Sequence, residues 1–183
     1  MKNIYYFDEL DSTNTYTASQ YSKLPNYSTI VADKQTKGKG SSSRIWHSST
    51  KNGLWFSFLI KDEIFWGDAF SIEVLGSIAV WKVLNEKGIN ATLKWPNDVL
   101  VNNKKISGVL VEVCGELETF KYTIIGIGLN VNQKQEEFPS CIQNIATSMF
   151  LETNTEYDKQ SLLYDIVSNI KLLYTDFKKM EIN

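Results

Sequence analysis

Alternation of apolar and polar residues divides the chain into a mixed succession of strands and helices. Apolar runs at residues 4–7, 28–33 and 54–60 predict strands, and the third is apolar on both faces, as in the interior of a sheet. Residues 122–132 repeat that pattern. An apolar period near 3.6 predicts a helix over residues 66–87 that ends at Gly88. Its apolar stripe is formed by Phe70, Val74, Ile78 and Trp81.

The remaining segments are predicted from capping and turn residues. Ser12 is a good N-cap for a helix after the first strand, and Thr155 or Asp158 caps a last helix with a clean apolar stripe. Residues 99–101 and 106–113 predict a hairpin whose turn is formed by residues 102–104. Residues 36–48 predict a mobile loop, and residues 133–147 are polar and irregular.

Composition narrows the class of protein. The 183 residues, 43% of them hydrophobic, can bury one core, so we expect a single domain over residues 1–183. A net charge of −2 argues against a general nucleic-acid binder. No apolar run is long enough for a signal peptide or a membrane span, which predicts a cytoplasmic protein without a membrane partner. Cys114, Cys141 and the single His47 exclude a zinc site and a histidine-based triad.

Two segments concentrate groups that bind anions. In the predicted loop, Gly38 and Gly40 let backbone N–H groups approach a ligand, and Lys37, Lys39 and Arg44 supply positive charge. Arg44 is the only arginine of the chain, which suggests a position that needs a planar guanidinium rather than any cation. A flexible linker is the alternative for the loop, and chance survival is the alternative for the arginine.

The second segment is residues 94–108, in which a Trp-Pro-Asn-Asp turn leads into the hairpin. The hairpin brings Asn97, Asp98, Lys105 and Gly108 into one neighbourhood. The alternative is an ordinary hairpin with Lys104 and Lys105 in solvent and Trp95 in the core.

Two other features admit both a functional and a structural interpretation. Ser12, Thr13 and Asn14 lie where a helix presents its positive end, and they either cap that helix or bind a ligand. Gly126 and Gly128 weaken a strand, which predicts close approach of a ligand or of another backbone. Dense packing around Trp95 or a β-bulge is the alternative.

Taken together, these strings resemble the biotin protein ligases. The resemblance rests on Ser12-Thr13-Asn14, on the glycine-rich loop with Gly38, Lys39, Gly40, Arg44 and Trp46, on Lys94-Trp95-Pro96-Asn97-Asp98 with Lys105 and Gly108, and on Gly126, Gly128 and Asn130. It implies an α+β fold, in which a mixed β-sheet with flanking helices is shared with the class II aminoacyl-tRNA synthetases. The predicted alternation of strands and helices is compatible with that fold but does not select it.

The resemblance also implies a chemistry, in which biotin is activated with ATP and Mg²⁺ and transferred to a lysine of a biotin carboxyl carrier protein of acetyl-CoA carboxylase. Lys105 and Arg44 are the implied catalytic residues, Lys105 by bridging carboxylate and phosphate. The implied biotin-binding residues are Ser12, Thr13, Asn14, Gln35, Gly38, Lys39, Gly108 and Gly126. Those implied for ATP are Lys37, Arg44, Trp46, Asn97, Asp98, Lys105 and Asn130, with Asp98 and Asn130 also as ligands of Mg²⁺.

Departures from the family pattern leave two further hypotheses. Ser41, Ser42 and Ser43 replace two arginines and a glycine, and we expect neither a helix-turn-helix before Ser12 nor a C-terminal β-barrel domain. We therefore expect no DNA binding, while a homodimer stays open. A lipoate-type ligase of the same fold and a biotin-binding module with impaired catalysis are the alternatives.

Overall fold

In the part of the chain that the structure describes, seven strands form one sheet, which helices cover on both faces. The structure is a computed structural model that describes residues 3–62, 69–116 and 119–181. Its strands are β1 (Ile4–Leu10), β2 (Thr29–Gln35), β3 (Leu54–Ile60), β4 (Ala91–Lys94), β5 (Asp98–Val101), β6 (Lys104–Glu116) and β7 (Thr119–Leu129). Its helices are α1 (Thr13–Gln20), α2 (Ala69–Glu86), α3 (Met149–Thr153) and α4 (Lys159–Glu181).

The order of strands across the sheet is β1-β2-β3-β7-β6-β5-β4. Strands β1 and β2 are parallel, with α1 between them in the chain, and all other neighbours are antiparallel. The expected α+β fold with a mixed sheet is confirmed.

Alternation along β7 separates the core from the other face of the sheet. Ile125 and Ile127 pack into the main core with buried residues of α2 and α4. Ile124 joins a smaller cluster, to which residues of α1 contribute. Gly126 and Gly128 lie on the same face of β7 as Ile124, the face toward α1. At these two positions the α1 face of the sheet has no side chain, while Ile125 and Ile127 still pack into the main core on the opposite face.

Most local predictions are confirmed. The Ser12 hydroxyl accepts from the backbone N–H of Thr15, and Asp158 accepts from the first N–H groups of α4. Gly88 ends α2 with a positive φ of 79°. Asn102 and Asn103 both have positive φ, as a two-residue hairpin turn between β5 and β6 requires.

The prediction for α2 is corrected in one respect, the face of the helix that is buried. The predicted start at residues 66–68 lies outside the described residues. The predicted stripe lies beside the face that is fully buried, which is formed by Ile72, Leu75, Ala79, Val80, Val83 and Leu84. Phe70 is 48% exposed and contacts Trp95, which is 63% exposed rather than part of the core. Among the described helices, none combines the length and the hydropathy needed to cross a membrane.

Candidate active site

A cleft opens over the glycines of β6 and β7. We call it the inner cleft. Its floor is the α1 face of the sheet, and the N-terminus of α1 and the glycine-rich loop form its sides. It is lined by Ser12, Thr13, Asn14, Gln35, Lys39, Gly40, Ser41, Trp46, Phe56, Asn97, Lys105, Gly108, Val109, Leu110, Gly126, Ile127 and Gly128.

One end of the inner cleft is a buried polar network. The Gln35 side-chain oxygen accepts from the backbone N–H of Thr13 at 2.8 Å. The hydroxyl of Ser57 lies 2.7 Å from that of Thr13 and 2.5 Å from the amide oxygen of Asn14, to either of which it can donate. The Asn14 nitrogen in turn donates to the carbonyl of Leu110 at 3.4 Å. This end can offer both donors and acceptors to a ligand.

Ser57 is a functional candidate that the sequence analysis missed. It is fully buried and is the one polar residue of the apolar strand β3. A hydroxyl inside such a strand requires a hydrogen-bond partner, so its presence was a usable signal.

Side chains, and not another backbone, lie against the two glycines of β7. A Cβ at Gly126 would collide with the Asn14 amide, and one at Gly128 would collide with the Trp46 indole. The groups that approach are therefore two side chains of the inner cleft and not another backbone, while the approach of a ligand stays a prediction.

The other end of the inner cleft carries the predicted lysine. The Lys105 ammonium pairs with the Asp98 carboxylate at 2.5 Å and lies 5.2 Å from the centre of the Trp46 ring. Gly108 leaves room for it, because a Cβ there would be 3.0 Å from Lys105 Cε. The hairpin thus brings Asp98, Lys105 and Gly108 together as predicted, with Asp98 behind Lys105.

Beyond Lys105 and Trp46 lies a second cleft, which we call the outer cleft. Lys105, Trp46, Gly40 and Ser41 line both clefts. The outer cleft is walled by apolar side chains from the segment that follows β7. Its other lining residues are Arg44, Ile45, His47, Asn130, Phe138, Ile142, Ile145 and Ala146.

The apolar wall of the outer cleft was not predicted, since residues 133–147 show no periodicity. It is held by Asn130, whose side-chain nitrogen donates to the carbonyl of Thr147 at 2.8 Å and whose oxygen accepts from Gln133 at 3.1 Å. Backbone bonds also join Lys105 to Ile145 and Thr147. These are tertiary contacts, which local patterns do not reveal.

Asp98 and Asn130 do not fit a resident magnesium ion. Asp98 is neutralised by Lys105, and the amide of Asn130 already bonds to Thr147 and Gln133. The described residues contain no cluster of three carboxylate, cysteine or histidine side chains that could hold a metal. Asn130 was predicted to contact a ligand, and its hydrogen bonds give it a structural role as well, since they hold the apolar wall of the outer cleft.

The glycine-rich loop is tied to itself and to β6. Both the Nε and an Nη of Arg44 donate to Ser41, to its carbonyl at 3.1 Å and to its hydroxyl at 2.8 Å. The Lys39 ammonium pairs with Glu112 at 3.3 Å. Ser41, which departs from the family pattern, therefore orients the guanidinium of Arg44 at the edge of the outer cleft.

Three predicted residues line neither the inner nor the outer cleft: Lys37, Gly38 and Asp98, the last of which is paired with Lys105. Lys37 and Gly38 lie with Lys39 and Glu112 around a third, more open cleft under the loop. Glycine at position 38 has a structural explanation. Its carbonyl accepts a hydrogen bond from the N–H of Trp46, and a Cβ at this position would collide with the Trp46 backbone. The contributions of Lys37 and Gly38 to binding stay predictions.

Glu73 of α2 is a second residue that the sequence analysis missed. Its carboxylate accepts from the side-chain nitrogen of Asn97 at 3.2 Å. Burial of the carboxyl and the nearby charge of Asp98 raise the pKa of Glu73, although the hydrogen bond from Asn97 acts to lower it.

The sequence of this chain is similar to those of known ligases. The sequence profile of the biotin/lipoate A/B protein ligase family matches residues 6–130. The bifunctional ligase/repressor BirA of Bacillus subtilis is 36% identical over 179 residues, which cover 96% of this chain and 55% of that protein. The biotin–[acetyl-CoA-carboxylase] ligase of Mycobacterium tuberculosis is 31% identical over 115 residues, 59% of this chain and 41% of that one.

The fold of this chain is also similar to solved structures of biotin protein ligases. The biotin protein ligase from Aquifex aeolicus in complex with biotin and ATP superposes with a TM-score of 0.84 at 33% identity, over 98% of this chain and 73% of that chain. The chain spans about half the length of the curated relatives it matches. On the family match and these identities, the chain belongs to the biotin/lipoate A/B protein ligase family.

Proposed function

We propose that this chain activates biotin with ATP to biotinyl-5′-AMP and transfers the biotinyl group to a lysine of a biotin carboxyl carrier protein. The observation that carries the proposal is the position of Lys105 at the junction of two clefts with complementary linings. The inner cleft has a polar end for the ureido ring and an apolar floor for the acyl chain. The outer cleft has apolar walls for a nucleotide base, with Arg44 at its edge.

The first step joins two anions. The biotin carboxylate attacks the α-phosphorus of ATP, a C(O)–O–P bond forms, and pyrophosphate leaves with the electrons of the broken P–O bond. Lys105 can offset the charge that builds up between the two groups, and Arg44 can hold phosphate oxygens. Mg²⁺ would arrive with the phosphates of ATP and neutralise part of their charge.

In the second step, the carrier amine attacks the acyl carbon, an amide forms and AMP leaves. The apolar wall of the outer cleft limits the contact of the adenylate with water, which would otherwise hydrolyse it. The Mycobacterium tuberculosis relative is named for acetyl-CoA carboxylase, so the carrier domain of such a carboxylase is the proposed acceptor.

Biotin-dependent exchange of labelled pyrophosphate into ATP tests the proposal directly. Exchange with biotin, followed by label transfer from biotin to a purified carrier domain, is the expected result. Exchange with lipoate only would assign the chain to lipoate activation instead. Biotin binding without exchange would leave a module that binds biotin and has lost catalysis.

A further inference from the structure

Glu73 is an unusual residue for its position. It lies on α2 between Ile72 and Val74, on a helix that otherwise supplies the main core, and its carboxyl is half-buried. Glutamate rarely enters such surroundings without a partner. Its described partner is Asn97, which lines the inner cleft, and the charge of Asp98, the partner of Lys105, acts on its carboxyl.

The contacts of Asn97 fix which way its amide is turned. One atom of the amide lies 3.2 Å from the Glu73 carboxylate and 3.0 Å from the carbonyl of Val109. Both of these neighbours are acceptors, so that atom must be the nitrogen, which has two hydrogens to donate. The Asn97 oxygen is then the other atom, and it accepts no hydrogen bond from the described residues.

We propose that Glu73 is a positioning residue, which holds the Asn97 nitrogen so that the Asn97 oxygen accepts a hydrogen bond from an N–H or O–H group of a reactant in the inner cleft. The proposal rests on the proposed ligase function. Without the carboxylate, only Val109 retains the nitrogen, and the amide can rotate and present a donor to the same reactant.

The donor can come from either half-reaction. Biotin and the ribose of ATP carry N–H and O–H groups in the first step, and the incoming amine carries N–H groups in the second. Pyrophosphate exchange with biotin and ATP reports the first step. Reaction of preformed biotinyl-adenylate with hydroxylamine on the protein, above the rate in solution, reports the second.

Glu73→Leu should slow at least one of the two steps about 10-fold, as expected for losing one hydrogen bond to a charged group. Asn97→Ala should slow the same step, and Glu73→Gln, which can still accept from Asn97, should restore it. Glu86→Gln, at the exposed end of the same helix, is the control for losing a negative charge from α2.

Rates are divided by the concentration of active sites, obtained from the burst of adenylate, so that a folding defect is scored separately. A residue with only a structural role would lower the active fraction and leave kcat and KM per site unchanged. That result, or unchanged rates in both steps for Glu73→Leu and Asn97→Ala, would overturn the proposal. Absence of exchange in the wild-type protein would instead refute the ligase function.

Discussion

At the scale of single residues, charge is concentrated where the two clefts meet. The Lys105 ammonium pairs with the Asp98 carboxylate and lies over the Trp46 ring, and the Lys105 side chain is 34% exposed. An ammonium that is fixed in place but still reachable can stabilise charge without reorganising during the reaction.

Lys105→Ala should therefore lower pyrophosphate exchange by about 10²- to 10³-fold, the usual cost of losing one such donor. Stability should fall by about 1–3 kcal/mol, because the Asp98 carboxylate, whose side chain is 20% exposed, loses its partner. Lys104→Ala, one residue earlier in β6, removes the same charge and lines neither cleft. Equal activity in the two variants would show that Lys105 is an ordinary surface lysine.

At the scale of elements, β7 forms the floor of the inner cleft because two of its α1-facing positions are glycine. Gly126 accommodates Asn14 at the polar end, and Gly128 accommodates Trp46 at the junction with the outer cleft. The two positions lie two residues apart on one face, so the same substitution should disturb different parts of the site.

Gly126→Ala should displace Asn14 and raise the KM for biotin, whereas Gly128→Ala should displace Trp46 and raise the KM for ATP. A displacement of about 1 Å can cost about 10²-fold in rate. Steady-state exchange kinetics with each substrate varied in turn measure the split. If both variants change the same KM, the division of the floor between the two substrates is wrong.

Elements whose signals are local could be predicted. The β5–β6 hairpin follows from two asparagines that tolerate positive φ, and β3 and β7 follow from runs that are apolar on both faces. The hairpin and the glycines also located Lys105 and the floor of the inner cleft. The rest depends on contacts between distant residues: Asn130 with Thr147 holds the outer wall, and Asn97 gives Glu73 its role.

The face of α2 illustrates the same limit. Its residues carry apolar side chains around most of the helix, so periodicity alone did not decide which stripe the sheet would cover. The sheet and α4 cover Ile72 and Leu75, and Phe70 is left half-exposed beside Trp95.

At the scale of the whole molecule, α4 is fastened to the sheet far from both clefts. Asp62, just after β3, accepts from Lys178 at 2.9 Å, from the Tyr27 hydroxyl at 2.8 Å and from Asn26 at 2.7 Å. Burial acts to raise the pKa of Asp62, but these hydrogen bonds and the Lys178 charge outweigh it and lower that pKa below its ordinary value. Burial and the neighbouring Asp62 raise the pKa of Tyr27 to about 12.

These directions define a pH window. The carboxyl of Asp62 has a lower pKa in the folded state, so its contribution is complete above the unfolded value of about 4 and is lost as pH falls through the folded pKa. The hydroxyl of Tyr27 has a higher pKa in the folded state, so its contribution is complete below about 10 and is lost as pH rises toward 12. The fastening of α4 should be strongest between these limits.

Asp62→Ala should lower the free energy of unfolding by about 1–3 kcal/mol at pH 7, because it leaves Tyr27, Asn26 and Lys178 without their common acceptor. Urea denaturation at pH 7 and at pH 3 measures the difference from wild type, which should shrink at pH 3, because the carboxyl of the unfolded chain takes up a proton below its ordinary pKa of about 4. As a control, Asp176→Ala removes an exposed carboxylate from α4 and should lower the free energy of unfolding by less than about 1 kcal/mol.

Exchange activity of Asp62→Ala at 25 °C should match wild type, since Asp62 lines neither cleft. A stability difference that stays constant between the two pH values would mean that packing, and not the charge of Asp62, holds the end of α4.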